Sequence, residues 1–148
     1  NLRADDEVAL ISFGSDASVD IAPTRIDETP MRRPTAVSGQ STELAPLVAV
    51  IGSLPTTRCR TAMLLVGDGQ FGDLPVDEAT ATAQLAAARV DTLDFLVPGS
   101  IAIAPQWDAL YPSAPAQSFD GTNPNETALT FARALAHLTQ QHLQRTTS

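Results

Sequence analysis

Short, predominantly apolar runs that end in glycine, aspartate or proline recur along this chain, and each predicts a β-strand. The three longest are 7–13 (EVALISF), 61–66 (TAMLLV) and 92–97 (TLDFLV). Runs with little polar alternation are typical of strands that are buried on both faces, as in a parallel sheet. Two shorter runs, 18–21 and 117–119, predict minor strands, and Pro23 is expected to end the first of them.

Helical spacing of apolar residues separates these strands. Three helices are predicted over about 44–54, 75–90 and 124–144, with a short helical segment near 106–110. Ser41 or Thr42 stands where the N-cap of the first helix belongs. Asp77, at the start of the second, suits the positive end of a helix dipole, and Asp73 is expected to stabilise the same helix start.

The last predicted helix has the clearest start. Asn123 suits an N-cap, Pro124 the first helical position and Glu126 a capping box. Its apolar stripe is predicted to comprise Leu129, Ala132, Leu135, Ala136 and Leu138. His137 and His142 are five residues apart, which is not the spacing that places two imidazoles on one helix face, so both are expected to be solvated surface residues.

Alternation of strands and amphipathic helices predicts an α/β fold. We expect a three-layer, open, mostly parallel sheet with helices on both faces and one short antiparallel edge strand at 18–21. The chain has 148 residues, a length typical of one domain that buries a single core. A single domain spanning 1–148 is therefore expected.

Charge and hydropathy narrow the possible partners. Seventeen acidic residues stand against nine basic ones, all of them arginine, which gives a net charge of -8. Such a chain repels phosphate backbones and anionic lipid surfaces, so nucleic acid is not an expected partner. No apolar run approaches the length of a membrane span, so membrane insertion is not expected either.

The sequence that carries candidate chemistry is Arg60 to Asp73, in which an apolar strand leads directly into an acidic, glycine-rich turn. In open α/β folds, ligands and ions bind at the carboxyl ends of the strands. Asp68 follows its predicted strand at this position, where an acid is seldom needed for packing. It is therefore the first candidate for a binding residue.

Several segments, taken in order, resemble a von Willebrand factor type A domain. The run 5–19 (DDEVALISFGSDASV) is similar to that family's second strand, and 21–26 (IAPTRI) to the edge strand after it. Two turns, GQSTEL at 39–44 and VGDGQ at 66–70, resemble family loops, and 119–138 resembles the final strand and helix. The resemblance implies that the first strand and first helix of the family are missing here. Since that strand is central to the family's sheet, an upstream segment or another chain is expected to supply it.

The resemblance also implies a metal-ion-dependent adhesion site. Carried over by position, its threonine falls on Thr42 and its distal aspartate on Asp68, and its cation is Mg²⁺, or Mn²⁺ or Ca²⁺ in its place. Hard cations of this kind take oxygen ligands and retain water. The family's Asp-x-Ser-x-Ser loop has no counterpart in this chain. The run 16–20 (DASVD) resembles it superficially but leads into an edge strand instead of a long helix.

The sequence is compatible with three functions. The resemblance implies a module that binds another protein, of adhesion or scaffold type, through a divalent cation at Thr42 and Asp68. A second hypothesis keeps the fold but drops the ion, giving a metal-independent scaffold domain of a larger complex. A third is a metal-assisted hydrolase using Asp68, although the chain lacks the phosphate-cradling glycine loop and the lysine that such chemistry normally uses. A binding module, not an enzyme, is the prediction.

Overall fold

A computed structural model describes residues 3–30, 41–55, 60–68, 70–99 and 105–146, without the side chains of Pro105 and 140–146. The elements in chain order are β1 (Glu7–Phe13), β2 (Ala17–Arg25), a 3-10 turn (Ile26–Glu28), α1 (Leu44–Ser53), β3 (Ala62–Val66), α2 (Glu78–Ala87), β4 (Thr92–Pro98), α3 (Pro105–Leu110), β5 (Ala116–Phe119) and α4 (Pro124–Thr146). This order confirms a mixed α/β fold. None of the described helices is long and apolar enough to cross a membrane.

The chain divides into two compact units. The hairpin unit comprises 2–58 together with Phe71–Leu74, and the sheet unit comprises Cys59–Gln70 together with Pro75–Ser148. Strand pairing follows the same division. The described strands form a two-stranded antiparallel sheet, β1-β2, in the hairpin unit and a three-stranded parallel sheet, in the order β3-β4-β5, in the sheet unit.

In the hairpin unit, β1 and β2 pair from Glu7 opposite Arg25 to Phe13 opposite Ala17, with register irregularities on either side of Leu10. The prediction that Pro23 ends β2 is wrong, because the strand continues through it. A proline is tolerated at an edge strand, where its missing N–H costs no ladder hydrogen bond.

The burial of this unit also differs from the prediction. β1 was expected to be a buried strand, yet its residues are half-buried or exposed. Helix α1 follows the predicted spacing, with Leu44, Leu47 and Val48 as its buried residues.

In the sheet unit, β4 is the central strand, and Leu93 to Val97 are all buried. Adjacent side chains of a strand point to opposite faces of the sheet. Leu96 packs with Phe119 and with Ala134 of α4 on one face. Phe95 lies on the other face, with its ring centroid 4.4 Å from that of Trp107 in α3. Helices therefore contact both faces of the central strand.

Helix α4 does not bury the predicted stripe. Its buried or half-buried apolar residues are Phe131, Ala134 and Leu138, which recur every three or four positions. Of the predicted stripe only Leu138 is buried, whereas Leu129 and Leu135 are 49% and 38% exposed. Both stripes have helical periodicity, and packing against Leu96 and Phe119 selects the one that carries the large Phe131 ring.

Candidate functional site

Asp68 lies where the sequence predicted, immediately beyond the carboxyl end of β3. The N–H of Gly67 donates to the carbonyl of Leu96 at 3.1 Å, which continues the pairing with β4 one residue past the strand. Asp68 is exposed, and its Oδ1 accepts from the N–H of Gln70 at 3.0 Å. The turn thus orients one carboxylate oxygen locally and leaves Oδ2 without a described protein donor.

The neighbouring strands contribute a second acid to this edge of the sheet. Because β3, β4 and β5 are parallel, their carboxyl ends lie at one edge, and Asp120 follows β5 as Asp68 follows β3. The two aspartates flank β4, and the N–H of Gly99, the residue after this strand, donates to the carbonyl of Phe119 at 2.7 Å. Strands two positions apart are separated by about 10 Å. One carboxylate therefore lies on each side of the turn at Gly99.

Asp120 is held in its charged form. Thr122 donates to its Oδ1 from the hydroxyl at 2.6 Å and from the backbone N–H at 2.9 Å. These bonds, the hydroxyl first, lower the pKa of the Asp120 carboxyl below its usual value. The sequence signal was an aspartate directly after an apolar strand, the same signal that selected Asp68. The residues that follow Asp120 carry the predicted start of the last helix.

That helix start is confirmed. Oδ1 of Asn123 accepts from the N–H groups of Asn125 and Glu126 at 3.0 and 3.2 Å. Glu126 in turn accepts from the backbone N–H of Asp120 at 3.0 Å. Asn123 therefore begins α4 as predicted. The predicted capping box is wrong, because Glu126 bonds Asp120 and the N–H of Asn123 donates to the carbonyl of Asp120 instead.

Thr42 lies in the hairpin unit, in the turn before α1. Its carbonyl accepts from the N–H of Gly72 at 2.9 Å, and it forms an isolated parallel bridge with Phe71. Its predicted role as N-cap is wrong, because the N-cap position is Glu43, which makes no side-chain capping bond. Thr42 is thus fixed through its backbone, and its hydroxyl has no capping role.

Asp73 supplies the missing cap from a distant part of the sequence. Its Oδ1 and Oδ2 accept from the N–H groups of Leu44 and Ala45 at 2.6 and 2.8 Å. The expectation that Asp73 stabilises the next helix, α2, is therefore wrong, since it begins α1 instead. Helix α2 is capped by Asp77, whose Oδ1 accepts from the N–H of Thr80 at 2.7 Å.

The run 16–20 is not a cation loop. Residues from Ala17 onward belong to β2, and Oδ1 of Asp16 accepts from the N–H of Ala17 at 2.8 Å. Asp20 accepts a hydrogen bond from the hydroxyl of Ser12 across the hairpin. These carboxylates are engaged in forming the turn and the strand pair, as the edge-strand interpretation predicted.

One contact in the sheet unit was not predicted from the sequence. Asp94 of β4 is buried, and its Oδ2 and Oδ1 lie 3.0 and 3.2 Å from Nδ1 of His137 in α4. His137 is an exposed residue, as predicted, with 47% of its side chain exposed, but its contact with Asp94 was not predicted. The available signal was an acid in the middle of an apolar strand, because a buried carboxylate requires a partner. The side chain of His142 lies outside the described set.

The two predicted cation ligands are not in one unit. Thr42 is described within the hairpin unit and Asp68 within the sheet unit. In the part of the chain that the structure describes, no group of three or more histidine, cysteine, aspartate or glutamate residues could hold a metal ion. Comparison with protein-family models, with curated proteins and with solved structures found no match to this chain.

Proposed function

We propose that this chain is a protein-interaction module of the von Willebrand factor type A class. It binds its partner at the carboxyl edge of the sheet, around Asp68, through Mg²⁺ or a similar divalent cation. Thr42 and Asp68 contribute oxygen ligands, and residues outside this chain complete the coordination. A cation held in this way keeps an open position that a partner's carboxylate fills.

The observation that carries the proposal is the position of Asp68. It is exposed, directly follows β3 at the carboxyl edge of a parallel sheet, and has one oxygen oriented by Gln70. Open α/β sheets bind ligands at this edge. Asp120, also exposed and kept ionised by Thr122, adds negative charge to the same edge and would attract a cation.

The role of Thr42 in this proposal rests on the resemblance, which carries the family's threonine ligand over to this position. In the same proposal, a strand from an upstream segment or another chain lies beside β3, which pairs with β4 alone among the described strands.

Line broadening of NMR signals by Mn²⁺ tests whether a cation binds, because it locates even a weak cation site. With ¹⁵N-labelled chain and increasing MnCl₂, we expect the amide signals of Gly67, Asp68 and Gln70 to broaden first, and excess MgCl₂ to restore them. The Asp68→Asn and Thr42→Val variants should each require more Mn²⁺. Asp5→Asn, which changes the same charge at an exposed residue of the hairpin unit, is the matched control. Broadening that is unchanged in Asp68→Asn would remove the cation from the proposal.

A second function is favoured by one observation. Asp68 already accepts a hydrogen bond within its own turn, and the described residues contain no ready cluster of metal ligands. These features suit a scaffold domain that binds its partner through its loops without an ion. Once a partner is captured with the intact polypeptide, binding that is equal in EDTA and in MgCl₂ favours the scaffold. Binding that EDTA abolishes favours the cation.

A further inference from the structure

The free edge of β3 lacks the features that normally prevent strand pairing. Among the described strands, β3 pairs only with β4, so its other edge has no described strand beside it. All five of its residues, Ala62–Val66, are apolar. Natural edge strands are usually protected by charges, prolines, bulges or short length.

The other edges do carry such protection. β2 contains Asp20 and Pro23, the β1-β2 pairing is irregular around Leu10, and β5 has only four residues. The contrast leaves β3 as the described edge best suited to accept another strand.

The direction of the backbone groups on this edge follows from two hydrogen bonds. The N–H of Gly67 donates to Leu96 and the carbonyl of Thr61 accepts from Thr92, so the odd-numbered residues point their backbone groups toward β4. In a parallel pair the N–H and C=O of one residue point to the same side, and the next residue's point to the other side. Ala62, Leu64 and Val66 therefore direct their backbone groups to the free edge.

The charges at the two ends of β3 are self-complementary. Arg60 lies two residues before the strand and Asp68 two residues after it, and both are exposed. If a second β3 pairs antiparallel about Leu64, residue 62 of one copy faces residue 66 of the other. Arg60 of each copy then faces Asp68 of its partner copy. Opposite charges placed directly across two strands stabilise the pair, whereas like charges destabilise it.

We propose that two copies of this chain dimerise by antiparallel pairing of their β3 strands about Leu64. In each copy, three residues direct their backbone N–H and C=O groups to the free edge. Pairing about Leu64 gives each of these N–H groups a carbonyl of the other copy as its acceptor, so none of them is left unpaired. The interface is isologous, as in most two-fold dimers. The inference rests on the strand-donor part of the proposed function and names a second copy as the donor. It requires no cation, although both proposals use Asp68.

Charge reversal tests the register, with sedimentation velocity as the measurement. The 148-residue chain should be dimeric, and Arg60→Asp and Asp68→Arg should each raise the dimer Kd by at least about tenfold, since each variant faces like charges across the interface. The double variant Arg60→Asp with Asp68→Arg restores opposite charges and should dimerise like the original chain. An equimolar mixture of the two single variants should also form a heterodimer, because one copy then carries two acids and the other two arginines.

Amide hydrogen exchange provides a second readout at the same positions. The amides of Leu64 and Val66 should become protected as the concentration rises through the dimer Kd, while Leu65, already bonded to β4, should change little. Circular dichroism establishes that each variant is folded.

Three results would overturn the proposal: a monomer at all concentrations, a dimer that is indifferent to both single variants, or single variants that are not rescued by each other. A longer polypeptide that is monomeric, with Leu64 and Val66 protected at every concentration, would assign the edge to its own upstream strand. None of these results alters the manganese experiment, so the two proposals fail separately.

Discussion

Nδ1 of His137 on α4 lies 3.0 Å from Oδ2 of Asp94, a carboxylate that is 3% exposed on the central strand β4. The imidazole is 47% exposed, so the pair joins the interior of the sheet to the surface of the helix. A buried carboxylate without a partner is costly, and this contact supplies the partner. The contact holds α4 against the sheet through a polar pair, which the pattern of apolar residues does not predict.

Removing His137 should therefore destabilise the chain more than its partial exposure suggests. His137→Ala leaves Asp94 buried without this partner, and we expect a loss of about 2 kcal/mol in the free energy of unfolding, measured by urea titration. The double variant His137→Ala with Asp94→Val removes the buried charge as well and should regain part of the loss. If the double variant is less stable than His137→Ala alone, the carboxylate is stabilised by other contacts.

Asp73 should be more important for α1 than its N-cap residue. Asp73→Ala removes the acceptor for the N–H groups of Leu44 and Ala45, and should cost about 1 kcal/mol, as other capping losses do. Glu43→Ala, at the N-cap position that makes no capping bond, is the matched control and should change stability by less than about 0.5 kcal/mol. Equal losses in the two variants would show that Asp73 does not cap α1 in solution.

Gly121 should not tolerate a side chain. An added Cβ would lie 2.9 Å from Cβ of Pro98, a ring atom that cannot move aside easily. Gly121→Ala should thus cost about 1–3 kcal/mol, the range for overpacking. At Gly72 an added Cβ would lie 4.0 Å from the Thr42 carbonyl, which is ordinary contact, so Gly72→Ala is the control that should be tolerated. Thermal unfolding of the two variants measures the difference.

The stability that Asp77 contributes should be lost as the pH falls into the acid range. The hydrogen bonds from Thr80, backbone first and hydroxyl second, lower its pKa below 3.8 in the folded chain. A group with a lowered folded pKa contributes stability that is present above its unfolded pKa and is lost as the pH falls through the folded pKa. Carboxyl NMR titration should place the Asp77 pKa below 3.8. Thr80→Val removes only the hydroxyl bond, so it should raise that pKa part of the way; no change would exclude the hydroxyl contribution.

Local pattern predicted the elements well. Within the described residues, the five strands and four α-helices occur where apolar runs, helical spacing and capping residues indicated, and Asn123 and Asp77 cap their helices as expected. These features depend on neighbours along the chain, because backbone dihedral preferences and side-chain period act over a few residues. The position of Asp68 at the end of β3 was predictable for the same reason.

Contacts between distant residues were decided only by the tertiary structure. The sequence offered two apolar stripes on α4, and the core selected the one containing Phe131. Asp73 precedes α2 in the sequence, but the tertiary structure places it at the start of α1. The apolar strand around Asp94 indicated that this acid needs a partner, but not that the partner is His137. Periodicity states which residues can share a face, whereas burial and hydrogen-bond satisfaction in three dimensions select the partner.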